Sequence, residues 1–563
     1  MLIFRVGRIT GLFLFLILAT PLVLPLAARN HSKPEKEKEQ VESPEFAIIV
    51  NHLIASENKY SIKMRKYSPR VETYLQYYVP DPTLGDMTRN DSYYLGRLNF
   101  GAQEQVVSFK PDSTGEWLRR HGQVRAQIRS NNLALEPLEV DADGFDRERY
   151  TFTPVRWEYL GDIRCLAIDI HPRPHAGIGA FEGRIWVEDH DYSIVRMNGA
   201  RTNPPRYNFY THFDCWRENL QPGLWLPVYI YSQESNLGSR LRYKAETRIW
   251  GYDLNDRNPE QEWTNIQVDA PAPIRDSSEA TTDMTPIESQ RLLTIDAEQN
   301  VLRRLDRARL LAPPGPVDKV LETVVNNLRV SNHLESLPPV HCRVMLTSTL
   351  ESFSLAYTIV LSRGLIDVLP DEASLAMVLA HELAHVAGAR KIDTMFAFND
   401  VLQVPDEGLQ SVLDVARDRE DEADADARGI EFLKNSPYKD SLAQAGLFLR
   451  AAAAAAPYAP HLFGPHLGNG LTEGSNKLLR MAALIEAAPE LTPKNINQIA
   501  ALPLGSRVQV NAWDGSVSFT TRKAVPLVDA SEKMPFRVTP VIPYLRTYLA
   551  PSNPEVSAQN QGK

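Results

Sequence analysis

"VLAHELAHVAGAR", residues 378–390, places two histidines four apart, with a glutamate beside the first. It reads either as a buried helix with satisfied histidines or as a metal site. On a helix, residues i and i+4 share one face, about one turn apart. His381 and His385 can therefore hold one ion between them, and imidazole nitrogen is a common zinc ligand. Glu382 projects to the flank of that pair, where its carboxylate can exchange a proton with water without ligating the metal. The surroundings read as helix. Pro370 and Asp371 open it, and Glu372 sits in its first turn. Leu375, Val378, Leu379, Leu383 and Val386 follow at helical spacing.

Zinc needs a third protein ligand. "RDREDEADADARG", residues 417–429, holds two candidate pairs at i,i+4 spacing. One is Glu422 with Asp426; the other is Glu420 with Asp424. In either, the glutamate would ligate. The aspartate one turn on would bond a histidine's second nitrogen and fix its tautomer. The competing reading of so acidic a run is a solvated helix face. Spacing alone leaves both registers open.

Around these motifs, residues 287–490 have the period of helices with short strands. "PVDKVLETVVNNL" (316–328) puts Val317, Val320, Leu321, Val324 and Leu328 on one side. "HCRVMLTS" and "YTIVLSRGL" read as short strands, and "FLRAAAAAAPYA" as a helix of high intrinsic propensity. Residues 501–550 return to strands, with "NAWDGSVSF" turning on Asp514–Gly515. The tail 551–563 is expected to be disordered. Upstream, "DAPAPIRDSSEATTDMTP" (269–286) has linker composition. Residues 46–268 are strand-rich after an opening helix near 46–65. "CLAIDIHPR", "GRIWVEDHDYSIVRMNG" and "RLRYKAETRIWGYDL" alternate apolar and polar residues, as in an antiparallel sheet with one buried face. His171, His175 and His190 there lack ligand spacing and read as surface residues. The fold class expected is α+β and multidomain: an antiparallel β-rich N-terminal domain, a mainly helical domain with short strands, and a small C-terminal β segment.

The N-terminus carries Arg5 and Arg8, then "GLFLFLILATPLVLPLAA" (11–28), then the charged linker 29–45. That order describes an export signal, or else an uncleaved membrane anchor through residues 11–28. Pro21 and Pro25 interrupt a continuous helix and Ala27–Ala28 offers a cleavage point, which favours cleavage. Either way the rest is expected outside the cytoplasm, in a periplasm or cell envelope. No cysteine precedes Cys165, which argues against a lipid-modified N-terminal cysteine. Three cysteines are too few for a disulfide scaffold; Cys165 and Cys215 could pair, or all three could be buried thiols. The net charge of −9 and the lack of a lysine or arginine run argue against nucleic acid as a partner.

The segment from about 316 to 485 resembles peptidase family M48, which includes CAAX prenyl endopeptidases, HtpX-type membrane proteases and BepA-like periplasmic proteases. "TIVLSRGLIDVLPDEASLAMVLAHELAHV" (358–386) is similar to that family's strand, turn and H-E-x-x-H helix. Arg419, Glu422, Ala425, Asp426 and Gly429 match its second block, R-x-x-E-x-x-A-D-x-x-G. The register on Arg417, Glu420 and Asp424 would put Ala427 at the glycine, so the resemblance favours Glu422. Two positions depart. Glu351 of "ESFSL" stands where the family has an asparagine near the substrate carbonyl. The histidine that precedes the family's late arginine is missing ahead of Arg480, and His466 of "FGPHLGN" is a candidate replacement by another path.

The resemblance implies a gluzincin-type zinc metalloendopeptidase of the non-spanning, BepA-like branch. One Zn2+ per chain would be held by His381, His385 and Glu422, with Glu382 as general base and Asp426 in support. Its substrates would be protein or peptide chains, expected among envelope or outer-membrane proteins. The β-rich region resembles lipoprotein-carrier sheets. The rival expectation is a protein-binding or chaperone-like factor whose zinc site is structural or weakly active.

Overall fold

The first helix, α1 (Pro44–Met64), begins where Ser43 accepts a hydrogen bond from Phe46 N at 3.2 Å. It belongs to a computed structural model that describes residues 43–81, 85–99, 105–108, 138–141, 144–177, 179–202, 211–234, 241–254, 285–388, 396–397, 419–473, 477–478, 480–492, 495, 498, 508–511, 516–519 and 538–548. The signal or anchor (1–28), most of both linkers (29–45 and 269–286) and the tail (551–563) lie outside the described residues.

Ten antiparallel strands follow: β1 (Arg70–Asp81), β2 (Gly85–Asn99), β3 (Gln105–Ser108), β4 (Tyr150–Leu160), β5 (Ile163–Pro172), β6 (Phe181–Glu188), β7 (Ile194–Arg201), β8 (Thr211–Gln221), β9 (Leu224–Glu234) and β10 (Arg242–Trp250). They form one sheet in the order β3-β2-β1-β10-β9-β8-β7-β6-β5-β4. The three alternating segments read from sequence become β5, β6–β7 and β10. The acidic "EDHD" supplies the β6–β7 turn, with Glu188 accepting from the backbone N–H groups of His190, Asp191 and Ser193. β10 shows the expected alternation most cleanly, buried and half-buried in turn along its length. His171, His175 and His190 are exposed.

Two arginine–carboxylate pairs are buried inside this sheet. Both terminal nitrogens of Arg217 on β8 donate to the two oxygens of Glu57 on α1, each at 2.7 Å. Arg196 donates twice to Asp214 and lies between the Trp186 and Trp216 rings. Cys165 and Cys215 are free, buried thiols on β5 and β8. Two strands lie between β5 and β8, so the two cysteines sit about 14 Å apart across the sheet. A disulfide needs Cα atoms within about 7 Å, which excludes the pairing. Burial pushes both thiols up to about 12.

The second region starts at α2 (Pro286–Arg307), closed by a capping box between Thr285 and Glu288. α3 (Pro316–Ser331) buries Leu321, Val324, Val325 and Leu328. Val317 and Val320 are exposed, so the apolar stripe lies C-terminal to the one read from the sequence. Next come β11 (His341–Met345), β12 (Glu351–Leu355), β13 (Thr358–Ser362), α4 (Arg363–Val368), α5 (Glu372–Ala387), α6 (Arg419–Lys434), α7 (Leu442–Ala455), α8 (Pro460–Phe463) and β14 (Asn469–Gly470). A small sheet runs β11-β13-β12-β14. β12 is absent from the reading by period; all five of its side chains are buried, the polar Glu351, Ser352 and Ser354 among them. Downstream lie β15 (Thr472–Glu473), β16 (Lys477–Leu478), α9 (Ala482–Ala487), β17 (Val508–Val510) and β18 (Val517–Phe519). β17 and β18 pair antiparallel, as the expected hairpin requires. Residues 538–548 form no strand. They cross back to the large sheet, where the Leu545 carbonyl accepts from Asp162 N at 2.9 Å. Gly161, at positive φ, leaves room for this: a Cβ there would lie 2.4 Å from the Leu545 oxygen.

The linker composition at 269–286 suggests two separate cores, but the flanking regions share one. Tyr74, Tyr93, Trp216 and Tyr229 of the large sheet pack in the same hydrophobic cluster as Leu350, Phe353, Leu379 and Phe448. Two buried carboxylates cross the junction. Glu72 on β1 accepts from Ser348 N and Oγ at 2.5 and 2.8 Å. Asp91 on β2 accepts from His461 N, His461 Nδ1 and Leu462 N at 3.1, 2.9 and 2.9 Å.

Candidate metal centre

α5 forms as its sequence dictates. Asp371 accepts from Ser374 N at 2.8 Å, and thirteen of the next residues, Ala373–Ser374 and Ala376–Val386, are buried. Gly429 of α6 lies against it. A Cβ there would sit 3.2 Å from His381 Cα and N and 2.8 Å from Met481 Cε. Glycine thus lets the two helices approach closely enough for their side chains to converge.

Three ligand-type side chains meet at that crossing. His381 Nε2 and His385 Nε2 are 3.2 Å apart, His381 Nε2 is 3.2 Å from Glu422 Oε2, and His385 Nε2 is 3.4 Å from Glu422 Oε1. Zinc bonds of about 2.0–2.2 Å at tetrahedral angles put ligand atoms about 3.3–3.5 Å apart, close to these edges. Two imidazole nitrogens face each other here, and only one of them can donate to the other. A divalent cation would accept lone pairs from all three groups at once. The donor set of two histidines and one carboxylate is also one zinc uses in catalytic sites. The residues fit the metal.

The support is built in. Asp426 Oδ1 lies 2.8 Å from His381 Nδ1, and its Oδ2 accepts from Met481 N at 2.8 Å. With Nδ1–H bonded to Asp426, Nε2 keeps its lone pair toward the other ligands. Burial and the Arg480 charge push His381 down, but its bonds to Asp426 and Glu422 more than offset this and hold it above the ordinary imidazole value. Burial alone would raise the Glu422 carboxyl. The hydrogen bonds of His381 and His385, with the Arg480 guanidinium, hold it far below the usual carboxylate range.

Glu382 is fully buried on the flank of the pair. Its Oε1 accepts from Ser352 Oγ at 2.6 Å and lies 3.6 Å from Arg480 Nη1. Its Oε2 has no hydrogen-bond partner among the described residues. Arg480 also reaches Glu422 Oε2 at 3.2 Å, so one buried guanidinium serves the third candidate ligand and the candidate base.

Of the two registers open in sequence, Glu422 and Asp426 face the histidines. Glu420 is exposed, and Asp424 pairs with Arg428 on the solvent side at 3.1 Å. Glu351 does not stand in for the family's asparagine. Its Oε2 accepts from the backbone N–H groups of His466, Leu467 and Gly468 at 2.8, 2.8 and 2.9 Å, and Thr349 bonds its Oε1. Successive side chains of a strand point to opposite faces, so Glu351 turns from the site as Ser352 turns toward it. His466 lays its ring on Tyr93, with centroids 4.3 Å apart. Ser352 is the residue that sequence reasoning missed; its place next to Glu351 in the departing motif was the available signal.

The model of Peptidase family M48 matches residues 317–405, which include α5 and end before Glu422. No curated protein matches the chain. Solved structures match with low scores. A domain of an outer membrane lipoprotein-sorting protein from Vibrio parahaemolyticus is 10% identical, over 38% of this chain and 94% of that one, with TM-score 0.19. A DUF1329 family protein from Desulfovibrio piger is 11% identical, over 36% and 94%, with TM-score 0.18. MucB in complex with MucA(peri) is 8% identical, over 36% and 93%, with TM-score 0.12. Scores this low carry no argument. The family match and the motif it covers do: residues 317–405 match Peptidase family M48, which supports a metallopeptidase domain there.

Proposed function

We propose that the chain is an exported zinc-dependent endopeptidase that cuts protein substrates in a cell envelope. One observation carries the reading: the ligand groups of His381, His385 and Glu422 converge with contacts of 3.2–3.4 Å between them, and beside them the buried carboxylate of Glu382 keeps one oxygen without a partner among the described residues. When bound, zinc supplies Lewis acidity, which polarises a peptide carbonyl and lets water lose a proton near neutral pH. Glu382 takes that proton at Oε2 and passes it to the departing amine. Ser352 and Arg480 hold the other oxygen of Glu382, so the carboxylate need not rotate during the transfer. Asp426 keeps His381 in the ligating tautomer, and Arg480 keeps Glu422 ionised.

The envelope setting rests on the basic and apolar N-terminus. Among the described residues no helix is long and apolar enough to cross a membrane. A second reading draws on Glu351, which is turned away and leaves the family's asparagine unreplaced. It is a protein-binding factor with a structural or weakly active zinc site.

Cleavage of an unfolded protein by the full chain, with and without chelator, decides between them. Glu382→Gln is expected to keep zinc and lose at least about a hundredfold in rate. Loss of zinc from that variant would make Glu382 a ligand and overturn these roles.

A further inference from the structure

We infer that Ser352 is a positioning residue for Glu382, an inference that rests on the peptidase reading above. Its hydroxyl is buried and donates to Glu382 Oε1 at 2.6 Å. An ionised carboxylate only accepts, so this hydroxyl hydrogen has one direction to point. The bond fixes the carboxylate plane and leaves Oε2, which has no partner among the described residues, as the oxygen that handles the proton. Without it, the contact at Oε1 that remains is Arg480 Nη1 at 3.6 Å, longer than a hydrogen bond.

The strand that delivers Ser352 is anchored beyond what a short β-strand requires. Four residues upstream, Ser348 is held by Glu72 of the large sheet through both its N–H and its hydroxyl. On its other side Gly364 lies so close that a Cβ there would be 1.9 Å from the Ser348 carbonyl oxygen. Glu351, adjacent to Ser352, takes three backbone N–H groups from residues 466–468 with one oxygen. Three-donor clamping of a fully buried carboxylate fixes its backbone, and with it the neighbour that faces the site. The departure from the family motif thus gains a purpose. Glu351 locks the strand, and Ser352 uses the locked strand to orient the base. Preorganisation of this kind acts on the rate constant rather than on substrate affinity.

The test uses the zinc-loaded full chain, a quenched-fluorescence casein, and four proteins: wild type, E382Q, S352A and S352T. Wild type is expected to cleave and E382Q to fail. A hydrogen bond to a charged group is worth about a ten- to hundredfold change in rate, so S352A should lose that much in kcat with KM and zinc content unchanged. S352T keeps the hydroxyl and should recover most of the loss. A crystal structure of S352A should show the Glu382 carboxylate rotated. S352A with wild-type kcat, or with Glu382 unmoved, overturns the inference while leaving the peptidase reading intact. E382Q cleaving like wild type overturns both.

Discussion

The large sheet and the metal centre both bury charge, and they do so differently. In the sheet, Arg217 spends both terminal nitrogens on the two oxygens of Glu57, and Arg196 does the same with Asp214. Each carboxylate is consumed by its partner. At the centre, Glu382 keeps one oxygen without a hydrogen bond among the described residues, two histidine nitrogens face each other, and Arg480 is shared between two carboxylates. A closed pair holds a fold together. A cluster with leftover lone pairs needs something else to complete it, and that is what separates a site from a strut.

The widest gap between the two regions should appear on removing a carboxylate from each. Glu422→Ala is expected to weaken zinc binding by orders of magnitude with little change in the folded content, since two histidines are left to hold the ion. Glu420→Ala should bind zinc as wild type does, because its side chain lies on the solvent face. Zinc dissociation constants measured by competition with a chromophoric chelator check both. Tight zinc in Glu422→Ala with loss in Glu420→Ala would put the ligand in the other register.

In the sheet, Glu57→Ala should act on stability alone. It strands the Arg217 guanidinium, which is 1% exposed, and breaking a buried pair in this way costs about 3–5 kcal/mol. Denaturant unfolding reads the loss, and zinc stoichiometry of the remaining folded protein should not change. A drop in zinc stoichiometry would mean that the sheet pair belongs to the site after all.

The two regions differ again in how far the sequence revealed them. The H-E-x-x-H helix and its cap were legible because helical periodicity and ligand spacing are local properties, whereas spacing left two registers open for the third ligand and the family resemblance favoured Glu422 with Asp426. The three alternating strands were legible for the same reason. β12 was not, since it is five residues long and carries three polar residues, Glu351, Ser352 and Ser354, where β13 offers the continuous apolar run Ile359–Leu361. Glu351 was misplaced because a motif aligns positions and cannot say which face of a strand a substituted side chain takes. The shared core was hidden as well. Linker composition at 269–286 reports on local polarity, whereas the junction is made by Glu72, Asp91 and aromatic residues far away in the chain.

That junction gives the next test. A fragment beginning near Thr285 loses the partners of Ser348, His461 and Leu462 and exposes the apolar surface that meets Tyr74 and Tyr93. It is expected to be aggregated, or to unfold without a cooperative transition. A soluble fragment that melts cooperatively and binds zinc would show that the metal centre needs nothing from the sheet.

The smallest effect is expected on the outer face of α6. Asp424→Asn breaks an exposed i,i+4 pair with Arg428, worth about 0.3–0.5 kcal/mol at most. Thermal melting should barely move, and zinc affinity should not change.

The central claim is that His381, His385 and Glu422 hold one zinc ion. Anomalous diffraction at the zinc edge from crystals of the zinc-loaded chain tests it most directly. The account predicts a single strong peak about 2.0–2.2 Å from His381 Nε2, His385 Nε2 and a Glu422 carboxylate oxygen. A peak ligated by Glu420, or no peak at the H-E-x-x-H helix in a protein that binds zinc stoichiometrically, would contradict it.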